Sequence, residues 1–193
     1  MYYPKLEGYV MDILHRDLSP DLTYHHAEHT LDVLHAVVDL GLAENVTEDE
    51  MCLLKTAALF HDSGFLLGYS HHEMSSCNLA KEILPQYNYP EAEIKIICEL
   101  IMATQVPQRP TNKLQEIICD ADLDYLGRND FVEISESLFL EFLSHNIVKD
   151  RNHWNKVQRS FFESHHYWTN TSKSKRAQLK EIHLDQIRSM IIE

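Results

Sequence analysis

Histidine stands out in this chain of 193 residues, which contains 13 of them. Eight lie between His15 and His72, and His25 and His29 are four positions apart in YHHAEHTLDVL. Because residues four apart share a helix face, these two imidazoles are expected to point into one space at the edge of the core. Histidine is the commonest metal ligand and the usual proton carrier at neutral pH, so the pair suits either role. Capped surface histidines near a helix start are the alternative for the pair alone.

A second pattern is charge placed inside apolar segments. In LLKTAALFHDSGF, His61 and Asp62 directly follow a helix that is apolar nearly all round. A carboxylate there is costly to bury without a cation or partner. In IICDADLDYLG, the acidic residues Asp120, Asp122 and Asp124 interrupt another apolar run. Three acidic groups so close favour a bound ion, whereas N-capping by Asp120 or Asp122 with a solvated Asp124 is the alternative.

Together, His29, His61, Asp62 and Asp122 offer two imidazoles and two carboxylates. This mixed set of nitrogen and oxygen donors suits Mn²⁺, Fe²⁺, Co²⁺, Ni²⁺ or Zn²⁺ and leaves coordination positions for water. The sequence contains no HExxH motif, no local signature of a Ser or Cys nucleophile and no Gly-rich phosphate loop. Metal-bound hydroxide is then the favoured nucleophile, because a cation lowers the pKa of water and takes charge from phosphoryl oxygens.

The same residues carry a resemblance to the HD-domain superfamily of metal-dependent phosphohydrolases. The ordered H…HD…D signature of that superfamily is matched by His29, by His61-Asp62 and by Asp122, and the resemblance covers about residues 20 to 130. It implies an all-helical core that holds one divalent metal ion, or two bridged by Asp62, with Mg²⁺ added to the candidates. The choice of Asp122 over Asp120 rests on matching the ADLD segment.

The resemblance also implies three catalytic residues. His72-Glu73 is similar to the His-Glu pair that opens a helix beside the substrate in nucleotide-cleaving HD enzymes, which implies His72 as proton donor and Glu73 as orienter. A helix start would favour Glu73 through the dipole alone. His25 followed by His29 is similar to the YHxxxH element of cyclic-nucleotide phosphodiesterases, where the first His protonates the leaving oxygen; packing is the alternative for His25. The extra histidines and GYP element of the cyclic-di-nucleotide branch are absent from the sequence, which argues against that substrate.

Helices must position these residues. Only 5 Gly and 6 Pro are present, too few for the turns of an all-β sandwich, so the sequence predicts an all-α fold with at most minor strands. Gly41 is expected to cap the second helix, and Thr47 with Glu50 forms a capping-box pattern before the third. Apolar spacing predicts helices over Lys5–Leu18, His26–Leu40, Glu48–Phe60, His72–Leu84, Pro90 to about Ala103, Lys113–Leu126, Asp130–His145, Arg151 to about His165, and Ser172–Ile192.

We expect one HD-like helical domain over residues 1–193, with a motif-bearing core at about 20–130 and C-terminal helices at about 130–193. Lys and Arg total 17 against 30 Asp and Glu, a net charge of −13 that disfavours duplex nucleic acid as a partner. Four cysteines without a CxxC pair read as small core residues in a reduced interior. No signal-peptide or membrane-spanning pattern is found, so the expectation is a cytoplasmic protein without a membrane partner.

The leading hypothesis is a divalent-metal phosphohydrolase that acts on a small phosphate ester, with a nucleotide as the favoured substrate, by attack of metal-bound water. The competing class is a regulatory or ligand-binding module that keeps the fold without turnover. Activity like that of a cyclic-nucleotide phosphodiesterase is a further alternative. Iron-dependent oxygen chemistry would need additional ligands, for which His71 or His72 are the candidates.

Overall fold

The computed structural model describes residues 3–192. All regular secondary structure in these residues is helical, which confirms the predicted all-α fold. No helix between residues 3 and 192 combines the length and apolar character needed to cross a membrane. The α-helices of this part of the chain are α1 (Tyr3–Asp17), α2 (Ala27–Ala43), α3 (Glu48–Phe60), α4 (His72–Ile83), α5 (Glu91–Ala103), α6 (Lys113–Asp122), α7 (Phe131–Ser144), α8 (Arg151–Ser164) and α9 (Asn170–Ser189).

The chain divides into two compact units. The first comprises the described residues up to Ser19 together with His25–Asp122, and it contains α1 to α6. The second comprises Pro20–Tyr24 together with the described residues from Leu123 onward, and it contains α7 to α9. Every residue proposed above for metal binding or catalysis lies in the first unit.

The core of the first unit is organised around α3. Leu54 and Leu59 are wholly buried, and α3 packs against both α2 and α5. The predicted capping box is present: the Thr47 side chain accepts a hydrogen bond from the Glu50 backbone N–H, while the Glu50 carboxylate accepts one from the Thr47 N–H at 2.8 Å. Helix α3 therefore starts at a defined residue, and its buried C-terminal end places His61 in the core.

The predicted C-cap at Gly41 is wrong, because α2 continues to Ala43 and Gly41 lies inside it. A Cβ at Gly41 would lie 2.6 Å from Cε of Met51 and 3.2 Å from Cγ2 of Val46. The glycine therefore permits close packing of α2 and α3, and it does not form a left-handed turn. Asn45 takes the positive φ, at 57°, that reverses the chain after the helix.

The predicted helix over Lys113–Leu126 is also shorter than expected. The chain leaves the α-helical conformation at Leu123, where φ is −107° and ψ is 18°, and a short 3-10 helix follows over Asp124–Gly127. In the second unit, Asp124 is buried and its carboxylate accepts hydrogen bonds from Nε and Nη2 of Arg176 at 2.7 and 2.9 Å. The expected solvated Asp124 is therefore wrong, because this carboxylate is buried and paired with Arg176 within the second unit.

Candidate metal centre

Four side chains from three helices converge in the first unit. His29 lies in the first turn of α2, His61 is the C-cap of α3 with Asp62 next to it, and Asp122 is the last residue of α6. The two imidazoles and the Asp62 carboxylate are buried, and the Asp122 side chain is 15% exposed. The four side chains come close together because each residue lies at or next to the end of a helix.

The donor atoms of these residues lie at the separations expected of ligands around one ion. Nε2 of His61 is 3.2 Å from Oδ2 of Asp62 and 3.5 Å from Oδ1 of Asp122. Nε2 of His29 is 3.5 Å and 3.4 Å from the same two oxygens. Ligands bound about 2.0 to 2.2 Å from a metal are roughly 3 to 3.5 Å apart in octahedral or tetrahedral geometry. His29, His61 and Asp122 therefore fit a single metal ion between them, and Asp62 presents a carboxylate oxygen to both imidazoles.

Hydrogen bonding at the cluster gives an independent indication that its residues suit a cation. Nδ1 of His61 donates to the backbone carbonyl of Ala58 at 2.8 Å, so Nε2 is the ring nitrogen that faces the cluster. This is the usual arrangement of a metal-binding histidine, whose other ring nitrogen is held by a carbonyl or carboxylate. Oδ2 of Asp62 is buried and receives no hydrogen bond from the residues that the structure describes. A cation would satisfy both atoms.

The carboxylates and imidazoles shift one another's pKa values. Burial alone would lower the pKa of His61, but the Asp62 and Asp122 carboxylates outweigh it and raise that pKa well above its ordinary value. Burial disfavours the ionised aspartates, yet His61 holds the pKa of Asp62 below its usual range. Hydrogen bonds with His29 and His61 likewise lower the pKa of Asp122 to about 2. Both carboxylates are therefore ionised at neutral pH.

The structure brings Asp122, and not Asp120, into the group of side chains with His29 and His61 that could hold an ion. Asp120 is wholly buried on the same helix. Two residues rotate an α-helix by about 200°, so the Asp120 side chain leaves α6 on the opposite side. The geometry thus agrees with the register chosen from the sequence, and the ligand role itself stays a prediction.

His72 and Glu73 lie beside this cluster at the start of α4. Nε2 of His72 is 3.4 Å from Oδ1 of Asp62 and 3.5 Å from Oε1 of Glu73. Glu73 is buried, and its Oε2 accepts a hydrogen bond from Nε2 of Gln105 at 3.4 Å. The Asp62 carboxylate thus presents one oxygen to the two buried imidazoles and the other to His72. A carboxylate that served only the helix dipole would not need to be buried against a histidine.

Gly64 and Ser76 hold the start of α4 against the His61 turn. The Ser76 hydroxyl accepts a hydrogen bond from the Gly64 N–H and donates one to the His61 carbonyl, both at 2.7 Å. A Cβ at Gly64 would overlap the His72 carbonyl oxygen and lie 2.7 Å from the Ser76 nitrogen. Only glycine allows the 3-10 helix Ser63–Leu66 to approach α4 so closely.

Phe65 is a residue of the site that the sequence analysis missed. Its ring stacks on two imidazoles, with centroid distances of 4.5 Å to His25 and 4.1 Å to His72. The rings of His25 and His72 are themselves 6.2 Å apart. All three proposed catalytic residues are therefore near the cluster, whereas His71 is an exposed N-cap with a φ of 57°. The only sequence signal for Phe65 was its place directly after HDSG.

A model of the HD domain family matches residues 26–124, which include the four clustered residues as well as His72 and Glu73. The chain belongs to the HD domain family. The family is metal-dependent, so membership supports a metal-dependent hydrolase and agrees with the His/Asp cluster described above.

Similar proteins extend this comparison. An uncharacterized protein of Clostridium beijerinckii is 37% identical over 81 residues, which are 40% of this chain and 51% of that protein. The match thus spans about half the length of that relative. Among solved structures, a predicted HD superfamily hydrolase from an uncultured Thermotogales bacterium is 18% identical, with 98% of this chain and 97% of the other covered at a TM-score of 0.63. Bacillus subtilis YpgQ, solved in complex with ADP, is 14% identical, with 95% of each chain covered at a TM-score of 0.65. At these identities, both structures establish the fold.

Proposed function

We propose that this protein is a divalent-metal-dependent phosphohydrolase that acts on a small phosphate ester, with nucleotides as the favoured substrate class. The observation that carries the proposal is a pair of imidazoles, His29 and His61, whose Nε2 atoms each lie 3.2 to 3.5 Å from one Asp62 oxygen and one Asp122 oxygen. The buried Asp62 oxygen of this group receives no hydrogen bond from residues 3–192. Buried ionised carboxylates of this kind are stable when a cation compensates them.

His29, His61, Asp62 and Asp122 would hold the metal ion. When bound, a divalent ion lowers the pKa of coordinated water and neutralises charge on phosphoryl oxygens. The protein's own contribution is to fix the ligands: Ala58 sets the His61 tautomer through Nδ1, and the α3 terminus fixes the position of Asp62.

His72 and Glu73 are proposed as the acid–base residues. Protonation of the leaving oxygen needs a donor beside the reacting phosphate, and His72 has one Asp62 oxygen 3.4 Å from its Nε2. Glu73 keeps the imidazole oriented, with its Oε1 3.5 Å from Nε2 of His72. Gln105 holds Glu73 in turn, by donating to its second oxygen.

His25 is a second candidate proton donor, and its ring also stacks on Phe65. The imidazoles of His25 and His72 have a centroid distance of 6.2 Å. Two proton carriers on one edge of the cluster suit a phosphodiester as well as a phosphomonoester. A nucleotide substrate is favoured by the likeness of His72-Glu73 to nucleotide-cleaving HD enzymes, and by the ADP in the complex of the similar YpgQ protein.

The test joins metal analysis to a substrate screen. The protein is purified without chelator, its metal content is measured, and phosphate release is followed with nucleoside mono-, di- and triphosphates, sugar phosphates and cyclic nucleotides under Mn²⁺, Co²⁺, Ni²⁺, Zn²⁺, Fe²⁺ and Mg²⁺. Turnover of a phosphate ester that a chelator abolishes and a metal restores is the expected result. Stoichiometric metal without turnover of any ester would support a regulatory module instead, and absence of bound metal under all six ions would overturn the proposal.

A further inference from the structure

Two cysteines that are 21 positions apart meet between α4 and α5. The Cys77 thiol lies on α4, with its sulfur 3.4 Å from the backbone carbonyl oxygen of Cys98 on α5. The Cys98 sulfur lies 3.7 Å from the carbonyl oxygen of Cys77. Each side chain thus reaches the backbone of the other residue. From the sequence each cysteine was expected only to be a small core residue, because the spacing of the four cysteines does not bring these two together.

A cavity gives small molecules access to this pair. It has a volume of about 1000 Å³ and lies within the first unit, and its lining includes Cys77, Cys98, Met74, Met102, Lys81 and Arg109. The side chains of Lys81 and Arg109 are exposed, so the cavity reaches the surface. Both sulfur-bearing residues are buried, Cys77 at 2% exposure and Cys98 at 9%. A small neutral oxidant can therefore reach them, whereas a protein partner cannot.

The two thiols differ in reactivity. The neighbouring Cys77 side chain, with a smaller contribution from Lys81, lowers the pKa of Cys98 to about 7. The neighbouring Cys98 side chain, together with burial, raises the pKa of Cys77. Thiolates and not thiols react with peroxides, so Cys98 is the attacking sulfur and Cys77 is the residue that resolves the product.

We propose that Cys77 and Cys98 are a redox modification site, at which a peroxide converts the two thiols into a disulfide that links α4 to α5. The Cys98 thiolate attacks one oxygen of hydrogen peroxide and breaks the O–O bond, which forms a sulfenic acid and releases hydroxide. The hydroxide takes the Cys77 proton. The Cys77 sulfur then attacks the Cys98 sulfur and displaces a second hydroxide, which leaves as water with a proton from solvent. Two thiols are oxidised, and one peroxide is reduced to two water molecules.

The bond would join two helices that already pack together, because α4 and α5 are in contact along their lengths. A disulfide needs an S–S distance of about 2.05 Å, so the sulfurs must approach each other from their hydrogen-bonded positions. Both helices also carry or adjoin residues that lie near the candidate metal centre. On α4, Ser76 directly precedes Cys77 and Glu73 lies one helical turn earlier, and Gln105 follows α5 and contacts Glu73. The modification is independent of the proposed phosphohydrolase activity, since its chemistry uses neither the metal nor the histidines.

The experiment uses the full chain in reduced form. The protein is exposed to hydrogen peroxide and quenched, it is unfolded in denaturant so that its remaining thiols can be alkylated, and intact mass and peptide mapping follow. The expected result is a loss of two hydrogen atoms, labelling of Cys52 and Cys119 only, and a cross-linked peptide that contains Cys77 and Cys98. Dithiothreitol should restore all four thiols. Four labelled thiols after peroxide, or a cross-link between any other pair, would overturn the proposal.

Single variants assign the two roles. Cys77→Ser should stop at a sulfenic acid on Cys98 that dimedone captures, and Cys98→Ser should give neither product. Cys52→Ser is the matched control and should form the cross-link at the rate of the unmodified protein. Circular dichroism checks each fold, and Cys→Ala replaces any serine variant that does not fold. Dimedone labelling of Cys77 in the Cys98→Ser protein, or none on Cys98 in the Cys77→Ser protein, would contradict the assignment.

Discussion

Nε2 of His29 lies 3.4 Å from Nε2 of His61, although the two residues are 32 positions apart in the chain. The proton of His61 is already placed on Nδ1, which donates to Ala58, so the neutral His61 ring presents a lone pair toward His29. Two ring nitrogens at this separation, flanked by the carboxylates of Asp62 and Asp122, need a proton or a cation between them. The cluster is consequently built around a positive charge.

We expect His61→Ala and Asp62→Ala to abolish metal retention and the proposed phosphohydrolase activity, because each removes one of only four proposed ligands. Metal content by mass spectrometry and turnover on the same preparations check this. His35→Ala is the control, since His35 is an exposed histidine of α2, and it should keep both properties. Full activity with stoichiometric metal in either ligand variant would remove these residues from the site.

Asp122→Asn should lose metal nearly as completely, because a carboxamide offers oxygen without charge. Asp120→Asn is its matched partner on the same helix. We expect Asp120→Asn to keep its metal and to alter only the melting temperature, since Asp120 is wholly buried away from the imidazoles. Metal loss in Asp120→Asn together with metal retention in Asp122→Asn would move the ligand by two residues.

The residue pattern predicted the all-α fold, and it selected four candidate ligands whose side chains the structure brings close together. His29, His61, Asp62 and Asp122 are recognisable because each breaks an apolar helix pattern, and such a break has few structural explanations. Phe65 and Gln105 were missed, because an aromatic ring and a neutral amide break no pattern. The roles of Phe65 and Gln105 depend on which helix end lies beside α4, and this packing cannot be read from the sequence pattern. Gly41 was misassigned as a C-cap for a similar reason, because its lack of a side chain serves the close contact with Met51 on the next helix.

The stability that metal confers should grow with pH. The pKa of His61 is raised above 6.5, so its charged contacts stabilise the metal-free protein below that pH, and this contribution is lost as pH rises through the folded-state pKa. Metal must displace the His61 proton, so binding strengthens over the same range. We expect the gap in melting temperature between Mn²⁺-saturated and metal-free protein to widen from about pH 6 to about pH 8.5.

The aspartates do not titrate in this window, because their pKa values lie below the ordinary range. Asp62→Ala removes the carboxylate that contributes most to the raised pKa of His61. In this variant the difference in melting temperature between Mn²⁺-saturated and metal-free protein should be small at every pH. A gap in the unmodified protein that stays constant with pH, or narrows, would show that no proton competes with the metal.

His72→Ala should leave metal content unchanged and lower kcat by about 10²- to 10⁴-fold, the usual contribution of one general acid or base. Glu73→Gln should also keep the metal, lower kcat and shift its pH profile, since it removes the charge that orients His72. His71→Asn is the control, because His71 is exposed and asparagine tolerates its positive φ.

Metal loss in His72→Ala would indicate that His72 is a metal ligand and would support the two-metal arrangement. A helix-start role for Glu73 would instead show in Glu73→Ala as a stability loss of a few tenths to about 1 kcal/mol with turnover per folded molecule unchanged. Unchanged turnover in both His72→Ala and Glu73→Gln would place the acid–base chemistry elsewhere.

Gly64→Ala should separate the acid–base residues from the metal ligands without touching either set. The added methyl group would overlap the His72 carbonyl and crowd the Ser76 nitrogen, so α4 must move away from the His61 turn. We expect a loss of about 1 to 3 kcal/mol in the free energy of unfolding, as for other overpacked sites, and a fall in kcat with metal still bound. Gly8→Ala is the matched control: Gly8 is exposed in α1 with nothing within 4 Å of an added Cβ, so this change should stabilise the protein by up to about 1 kcal/mol. Both variants are compared by chemical denaturation, metal analysis and turnover. A Gly64→Ala protein with the stability and kcat of the unmodified chain would show that the close approach of α4 does not position His72 and Glu73.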